Sequence, residues 1–379
     1  MPLTLNTALN DLQPSGIRRF SALAAQTPGC ISLTLGEPGE DTPERIAARV
    51  QVGLDAHKTH YPPNNGWPDL RLAICARMAA TGLSYQPEEV VVTSGATEAL
   101  YATLSAMLNP GDEVIVPMPA FLLYESVVRL ARATVVPLAT DETGFQITEE
   151  ALAASVTERT KAIVLTSPNN PTGVCLSRES LDVVARLACE HQFYVICDDV
   201  YDQLVYSDDF VGFAKAHQEL REQTVVVNSF SKPYAMTGWR LGWLAAPHHL
   251  TDQIAKIHQY AISSVVSFTQ DAAIEALATD VTPMRESYRV RRDFVLARLA
   301  RMGLSCVRPD GAFYAFPSIR KLGLTSEEFC TRAIIEDGVA LVPGSVFGCE
   351  GHVRLSYACD VTTLRWGLDR LEKFVAKLS

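Results

Sequence analysis

The sequence predicts an α/β protein: a large domain on a mainly parallel sheet covered by helices, with a smaller α+β domain beside it. Three observations lead there. The 379 residues exceed what one typical core accommodates. From about Glu88, short, nearly all-apolar runs alternate with helical stretches, as strands buried on both faces of a parallel sheet require. That alternation fades after about Thr279, where a different organisation begins.

The strands expected are Val90 to Thr93, Val114 to Pro117, Thr134 to Pro137, Ala162 to Leu165, Tyr194 to Cys197 and Val225 to Asn228. The first crossover helix is marked by the apolar stripe Leu100, Leu104, Met107 and Leu108, and is stopped by Asn109-Pro110-Gly111. A short helix starts near Ser15. Beyond Thr279 come a charged helix from Glu286 to Arg301, the segment Gly311-Ala312-Phe313-Tyr314-Ala315-Phe316, a further helix and a strand from Val353 to Tyr357. The expected division is an N-terminal arm and part of the small domain over 1–45, the large domain over 46–279, and the small C-terminal domain over 280–379. No fixed-period repeat or obvious linker interrupts it, so the domains are expected to share a substantial interface.

Composition narrows the function classes. Thirty-three basic against forty-three acidic side chains give a formal charge of -10, which repels phosphate backbones and argues against nucleic acid as a partner. No run of about eighteen apolar residues and no signal-peptide pattern appears, so no membrane role is expected. Nine scattered cysteines form no C-x-x-C pair and no metal-ligand spacing, which reads as buried thiols in a reducing cytoplasm and no metal site.

The chemistry concentrates in five segments. In Asn228-Ser229-Phe230-Ser231-Lys232, a lysine follows an apolar strand among hydroxyls, with Arg240 downstream. Burial and neighbouring cations lower a lysine's pKa, and the free amine can then form a Schiff base with an aldehyde; alone, the segment also fits a surface lysine. Asp198 ends another run, where carboxyl ends of strands face the ligand crevice, with Tyr201 in the next turn. It could pair with a protonated ring nitrogen, or simply cap a helix. Ser94-Gly95-Ala96-Thr97 sits where a strand turns into a helix, a recipe for binding phosphate that an ordinary helix cap fits equally. Neither G-x-x-x-x-G-K-[ST] nor G-x-G-x-x-G occurs, which argues against a nucleotide. Ser167-Pro168-Asn169-Asn170-Pro171-Thr172-Gly173 holds an asparagine between prolines, as a ligand donor or as a plain turn. Arg354, inside the apolar strand Val353-Arg354-Leu355-Ser356-Tyr357, needs a counter-ion, a bound carboxylate or an internal acid, unless it sits at an exposed edge of its sheet.

Together with Gly36-Glu37-Pro38 and Tyr61-Pro62-Pro63-Asn64-Asn65-Gly66, these segments resemble, in order and over essentially the whole chain, the class I aminotransferases of fold type I. These are the pyridoxal phosphate enzymes of the aspartate aminotransferase superfamily. The resemblance implies a seven-stranded sheet, pyridoxal 5'-phosphate as cofactor, and a ping-pong exchange of amino groups between an L-amino acid and a 2-oxo acid. It assigns Lys232 to the Schiff base and the α-carbon proton, Asp198 to the pyridine nitrogen, and Asn170 and Tyr201 to the phenolic oxygen. Gly95, Ala96, Thr97, Ser229, Ser231 and Arg240 fall to the phosphate, with Tyr61 reaching in from the neighbouring subunit of a homodimer. Phe121 stands where the family stacks a ring on the cofactor, and there phenylalanine lacks the polar edge of tryptophan or tyrosine. Arg354, Asn170 and the amide of Gly36 fall to the substrate α-carboxylate. Residues such as Ile17 line the side-chain pocket in similar enzymes, which suggests a hydrophobic or mixed preference. A carbon-sulfur lyase or a cyclising enzyme on the same fold is the alternative. A DNA-binding sensor on this fold needs a helix-turn-helix extension, and the sequence shows none.

Overall fold

Valine-rich runs become strands here because both faces of the sheet are covered. In the computed structural model, which describes residues 3–10 and 12–378, Val90, Val91 and Val92 are all fully buried. The strands among these residues are Ile31–Ser32 (β1), Val90–Thr93 (β2), Glu113–Met118 (β3), Thr134–Ala139 (β4), Thr160–Thr166 (β5), Tyr194–Asp198 (β6), Thr224–Ser229 (β7), Gly242–Ala245 (β8), Tyr314–Ala315 (β9), Val339–Ala340 (β10), Val342–Pro343 (β11) and Val353–Ser356 (β12). Seven of them form one sheet in the order β2-β8-β7-β6-β5-β3-β4.

All six strands expected for the large sheet are present, extended by up to two residues at their ends. The strand of this sheet that sequence reasoning did not anticipate is β8, antiparallel to both β2 and β7, and the short strands β1, β9, β10 and β11 outside it were not anticipated either. The other six run in one direction, so the sheet is mainly parallel. Apolar side chains cover its two faces alternately: Val114 and Val116 join a cluster with Leu104, Val127 and Ile254, while Ile115 joins Leu152, Leu181 and Phe213.

Helices follow their local signals. Ser15 caps the helix Gly16–Gln26 by accepting the Arg18 amide. The helix Gly95–Met107 buries Leu100, Leu104 and Met107, and Leu108 is its cap, one residue outside the helix. The charged helix expected from Glu286 starts earlier, at Thr282, because Pro283 occupies the first turn, where its missing N–H costs nothing. The strand expected to reach Tyr357 ends at Ser356.

Beyond the large sheet, β9, β11 and β12 form a three-stranded antiparallel sheet, and β1 pairs in parallel with β10. The N-terminal segment and the C-terminal region are thus joined by backbone hydrogen bonds: Leu33 accepts from Ser356, and the Leu33 amide donates to Ala340.

Candidate active site

Six strands running one way place the carboxyl ends of β2, β5, β6 and β7 along one edge of the sheet. Ser94–Thr97, Thr166–Asn170, Asp198–Tyr201 and Ser229–Lys232 therefore emerge side by side, where α/β sheets bind ligands. Because β8 runs the other way, its beginning lies at that same edge. Gly242 pairs with both Thr93 and Ser229, and Arg240, two residues earlier, arrives beside Gly95. A Cβ on Gly95 would lie 2.8 Å from the Arg240 Nη2, and one on Gly242 would lie 2.7 Å from the Ala96 nitrogen. Glycine is required at both places to close the cup.

The cavity bounded by these ends has a volume of about 240 Å³. Of the residues singled out in the sequence, Gly36, Ala96, Thr97, Phe121, Asn170, Asp198, Tyr201, Ser229, Ser231, Lys232, Arg240 and Arg354 line it, and so does Ile17. Gly95 lies just behind, against Arg240. Tyr61 is not among the lining residues of its own chain; it stands at the surface, 88% exposed. Tyr124, Thr166 and Tyr314 also line the cavity and were not foreseen.

Asp198 is buried at the end of β6, in register with Thr166 of β5. Its Oδ2 accepts from the Tyr124 hydroxyl at 2.6 Å, and Tyr124 also meets the Thr166 hydroxyl at 2.7 Å. Among the described residues its Oδ1 is buried without a hydrogen-bond partner. Burial pushes this carboxyl up to about 6, opposed by the Tyr124 hydrogen bond. A lone buried acceptor on a carboxylate is a place for a cationic N–H.

Lys232 is half-buried and, among the described residues, forms no ion pair; its Nζ donates to the Gly36 carbonyl at 2.5 Å. Burial first, and then the Arg354 guanidinium, push the amine down to about 8. Such an amine keeps a usable share of free base near neutrality, as a nucleophile or proton carrier needs.

Arg354 lies on β12 and is 1% exposed. Its Nη1 donates to Asn170 Oδ1 at 2.9 Å and its Nη2 to the Thr34 carbonyl at 2.5 Å, while among the described residues Nε has no hydrogen-bond partner. The guanidinium lies 4.6 Å from the centre of the Tyr314 ring and 5.0 Å from that of Phe347. No carboxylate pairs with it among the described residues, so of the two counter-ions considered from sequence, an internal acid is not used. Asn170 spends its oxygen on Arg354, which leaves the NH2 end of its amide as a donor. Tyr201 and Tyr314 join hydroxyls at 2.8 Å, and burial holds both phenols above their ordinary range. Phe121 meets Tyr124 edge-on, with ring centroids 6.2 Å apart.

Among the described residues no group of three or more His, Cys, Asp or Glu side chains is placed to hold a metal ion, and no helix is long and apolar enough to cross a membrane. A sequence model of the family described as Aminotransferase class I and II matches residues 28–371. The chain is 44% identical to a probable N-acetyl-LL-diaminopimelate aminotransferase of Bacillus subtilis, covering 98% of this chain and 96% of that one. It is 41% identical to an aspartate aminotransferase of Pyrococcus abyssi, over 98% of each. The solved structure of a Thermus thermophilus aspartate aminotransferase with maleate superposes with a TM-score of 0.93 at 37% identity, over 98% of this chain and all of that one.

The amine's environment has a measurable consequence. Competitive acetylation of the ligand-free protein should show Lys232 titrating with a midpoint at about 8, and Arg354→Gln should move that midpoint upward by removing a facing positive charge. A midpoint near the ordinary 10.5, or a downward move in the variant, would contradict the electrostatic picture.

Proposed function

The chain belongs to the class I and II aminotransferase family and is an aminotransferase, and from this premise we infer that its cavity works with pyridoxal 5'-phosphate to exchange amino groups between an L-amino acid and a 2-oxo acid. The observation that carries the inference is the convergence of Lys232, Asp198 and Arg354 on one cavity, each with bonding capacity left open toward it.

The residues fit that cofactor. The buried Asp198 Oδ1 is an acceptor awaiting a donor, and a protonated pyridine nitrogen supplies one. The amides of Gly95, Ala96 and Thr97 and the hydroxyls of Thr97 and Ser231, with the Arg240 guanidinium, form a donor cup suited to a phosphate at the start of the helix Gly95–Met107, and Ser229, whose amide and hydroxyl donate to Asn228 Oδ1 and the Leu241 carbonyl, accepts the Ser231 amide and so braces that cup. Phe121 offers a ring face for stacking, and Asn170 and Tyr201 offer donors for a phenolic oxygen. When bound, pyridoxal 5'-phosphate supplies an aldehyde that condenses with amines and a ring that accepts the electrons released at a substrate α-carbon.

The chain's own residues do the rest. Arg354 binds the substrate α-carboxylate, helped by the Asn170 amide, and so fixes which substituents of the α-carbon face Lys232. Lys232 Nζ takes the α-proton; its lowered pKa lets it accept and then release a proton near neutral pH. Asp198 stays ionised once a cation faces it, and so holds the positive end of the electron-accepting ring. One carboxylate site serves amino acid and 2-oxo acid in turn, as a ping-pong exchange needs.

Two copies of the chain form the working unit in this reading. Tyr61, exposed on its own subunit, reaches the phosphate cup of the partner. Nine free cysteines suit a reducing cytoplasm.

Steady-state kinetics test the assignment. Lys232→Ala should lower turnover by about a hundred- to ten-thousandfold in a protein that still folds, and near-normal transaminase activity would refute the role of the lysine. Arg354→Ala should raise KM for every amino acid substrate by about ten- to a hundredfold, through loss of a charge-assisted contact; an effect confined to one substrate would contradict a shared carboxylate site.

A further inference from the structure

We propose that His258, which touches neither substrate nor cofactor, is a positioning residue that holds the phosphate cup in its anion-binding form by neutralising Glu98. The inference rests on the reading of Ser94–Thr97 as that cup.

His258 lies on the helix His248–Ile262 and is fully buried. Its Nδ1 lies 3.0 Å from Glu98 Oε1 and its Nε2 2.8 Å from the Asn64 carbonyl oxygen. A carboxylate and a carbonyl both accept, so both ring nitrogens donate and the ring carries a positive charge. Burial works against that charge, but the Glu98 carboxylate and the Asn64 carbonyl outweigh it and hold the imidazole above its ordinary pKa.

Glu98 is the residue after Thr97, in the first turn of the cup's helix, and its Oε2 accepts from the Ser94 amide at 2.9 Å. A glutamate there has two faces. Its hydrogen bond fixes Ser94 at the mouth of the cup, while its negative charge, within one helical turn of the binding amides, repels a phosphate unless a cation neutralises it. His258 supplies that cation. On its other side it holds the Tyr61–Gly66 loop, where Asn65 accepts from the Val92 amide of β2. One imidazolium thus joins the cup to the loop that carries Tyr61.

The test compares pyridoxal 5'-phosphate with pyridoxal, which lacks the phosphate, on cofactor-free protein, following the visible absorbance that appears when either is held by a lysine. Wild type should prefer the phosphorylated compound. His258→Gln keeps a hydrogen-bonding side chain but loses the charge, and should reduce that preference by about tenfold while leaving pyridoxal affinity little changed. The double variant His258→Gln with Glu98→Gln removes both charges and should recover most of the preference. An unchanged preference in His258→Gln, or an equal loss for both compounds, overturns the proposal and leaves His258 a merely structural residue. A wild type without preference undoes the reading of the cup itself, a distinguishable failure. Nitrogen NMR of histidine-labelled wild type gives a check independent of any variant's folding: the His258 ring must be doubly protonated at neutral pH, and a neutral ring overturns the proposal.

Discussion

The arrangement depends on a guanidinium buried without an acid. Arg354 is 1% exposed, and its partners are an amide oxygen, a backbone carbonyl and two aromatic faces, none of which carries a full negative charge. Taking such a charge out of water costs several kcal/mol unless it is compensated. In the proposed reading, the fold tolerates the deficit because an anionic substrate arrives there. It recovers part of it from the Tyr314 and Phe347 rings, whose negative faces lie against the cation. The open charge also acts at a distance, since it helps push Lys232 down to about 8 and so keeps the amine available.

Backbone geometry delivers this chemistry. The Thr34 and Gly36 carbonyls, which receive Arg354 and Lys232, come from the N-terminal segment, and Arg354 comes from the three-stranded sheet near the other end of the chain. The large sheet contributes Asp198, Lys232 and the cup. Residues more than three hundred positions apart meet because Leu33 is hydrogen-bonded to Ala340 and Ser356. The antiparallel β8 matters as much, because its reversed direction brings Arg240 to an edge otherwise built from strand carboxyl ends.

Much of this was legible in the chain, for identifiable reasons. Strands covered on both faces need short apolar runs such as Val90-Val91-Val92, whose β-branched residues favour a strand over a buried helix segment. The glycines, prolines and charged residues of the site interrupt apolar runs and so declare themselves. Gly242-Trp243-Leu244-Ala245 has no β-branched residue and opens on glycine, so β8 left no signal. Tyr124 and Tyr314 were hidden differently: a tyrosine among apolar neighbours reads as core, and only the tertiary structure places one hydroxyl on Asp198 and the other on Tyr201. In the sequence Tyr314 stands only within the segment Gly311 to Phe316 that follows the charged helix. His258, on a helix with ordinary amphipathic spacing, had no distinguishing mark until Glu98 and Asn64 were seen around it.

In the proposed reading this cavity passes an amino group between two carboxylate substrates through a cofactor held by Lys232. An absorbance spectrum of the purified protein, recorded before and after adding single amino acids and then a 2-oxo acid, tests it most directly. A yellow band from lysine-held pyridoxal should disappear with a donor amino acid and return with the oxo acid, without ammonia. A band that persists while ammonia accumulates, or none even after adding pyridoxal 5'-phosphate, would contradict it.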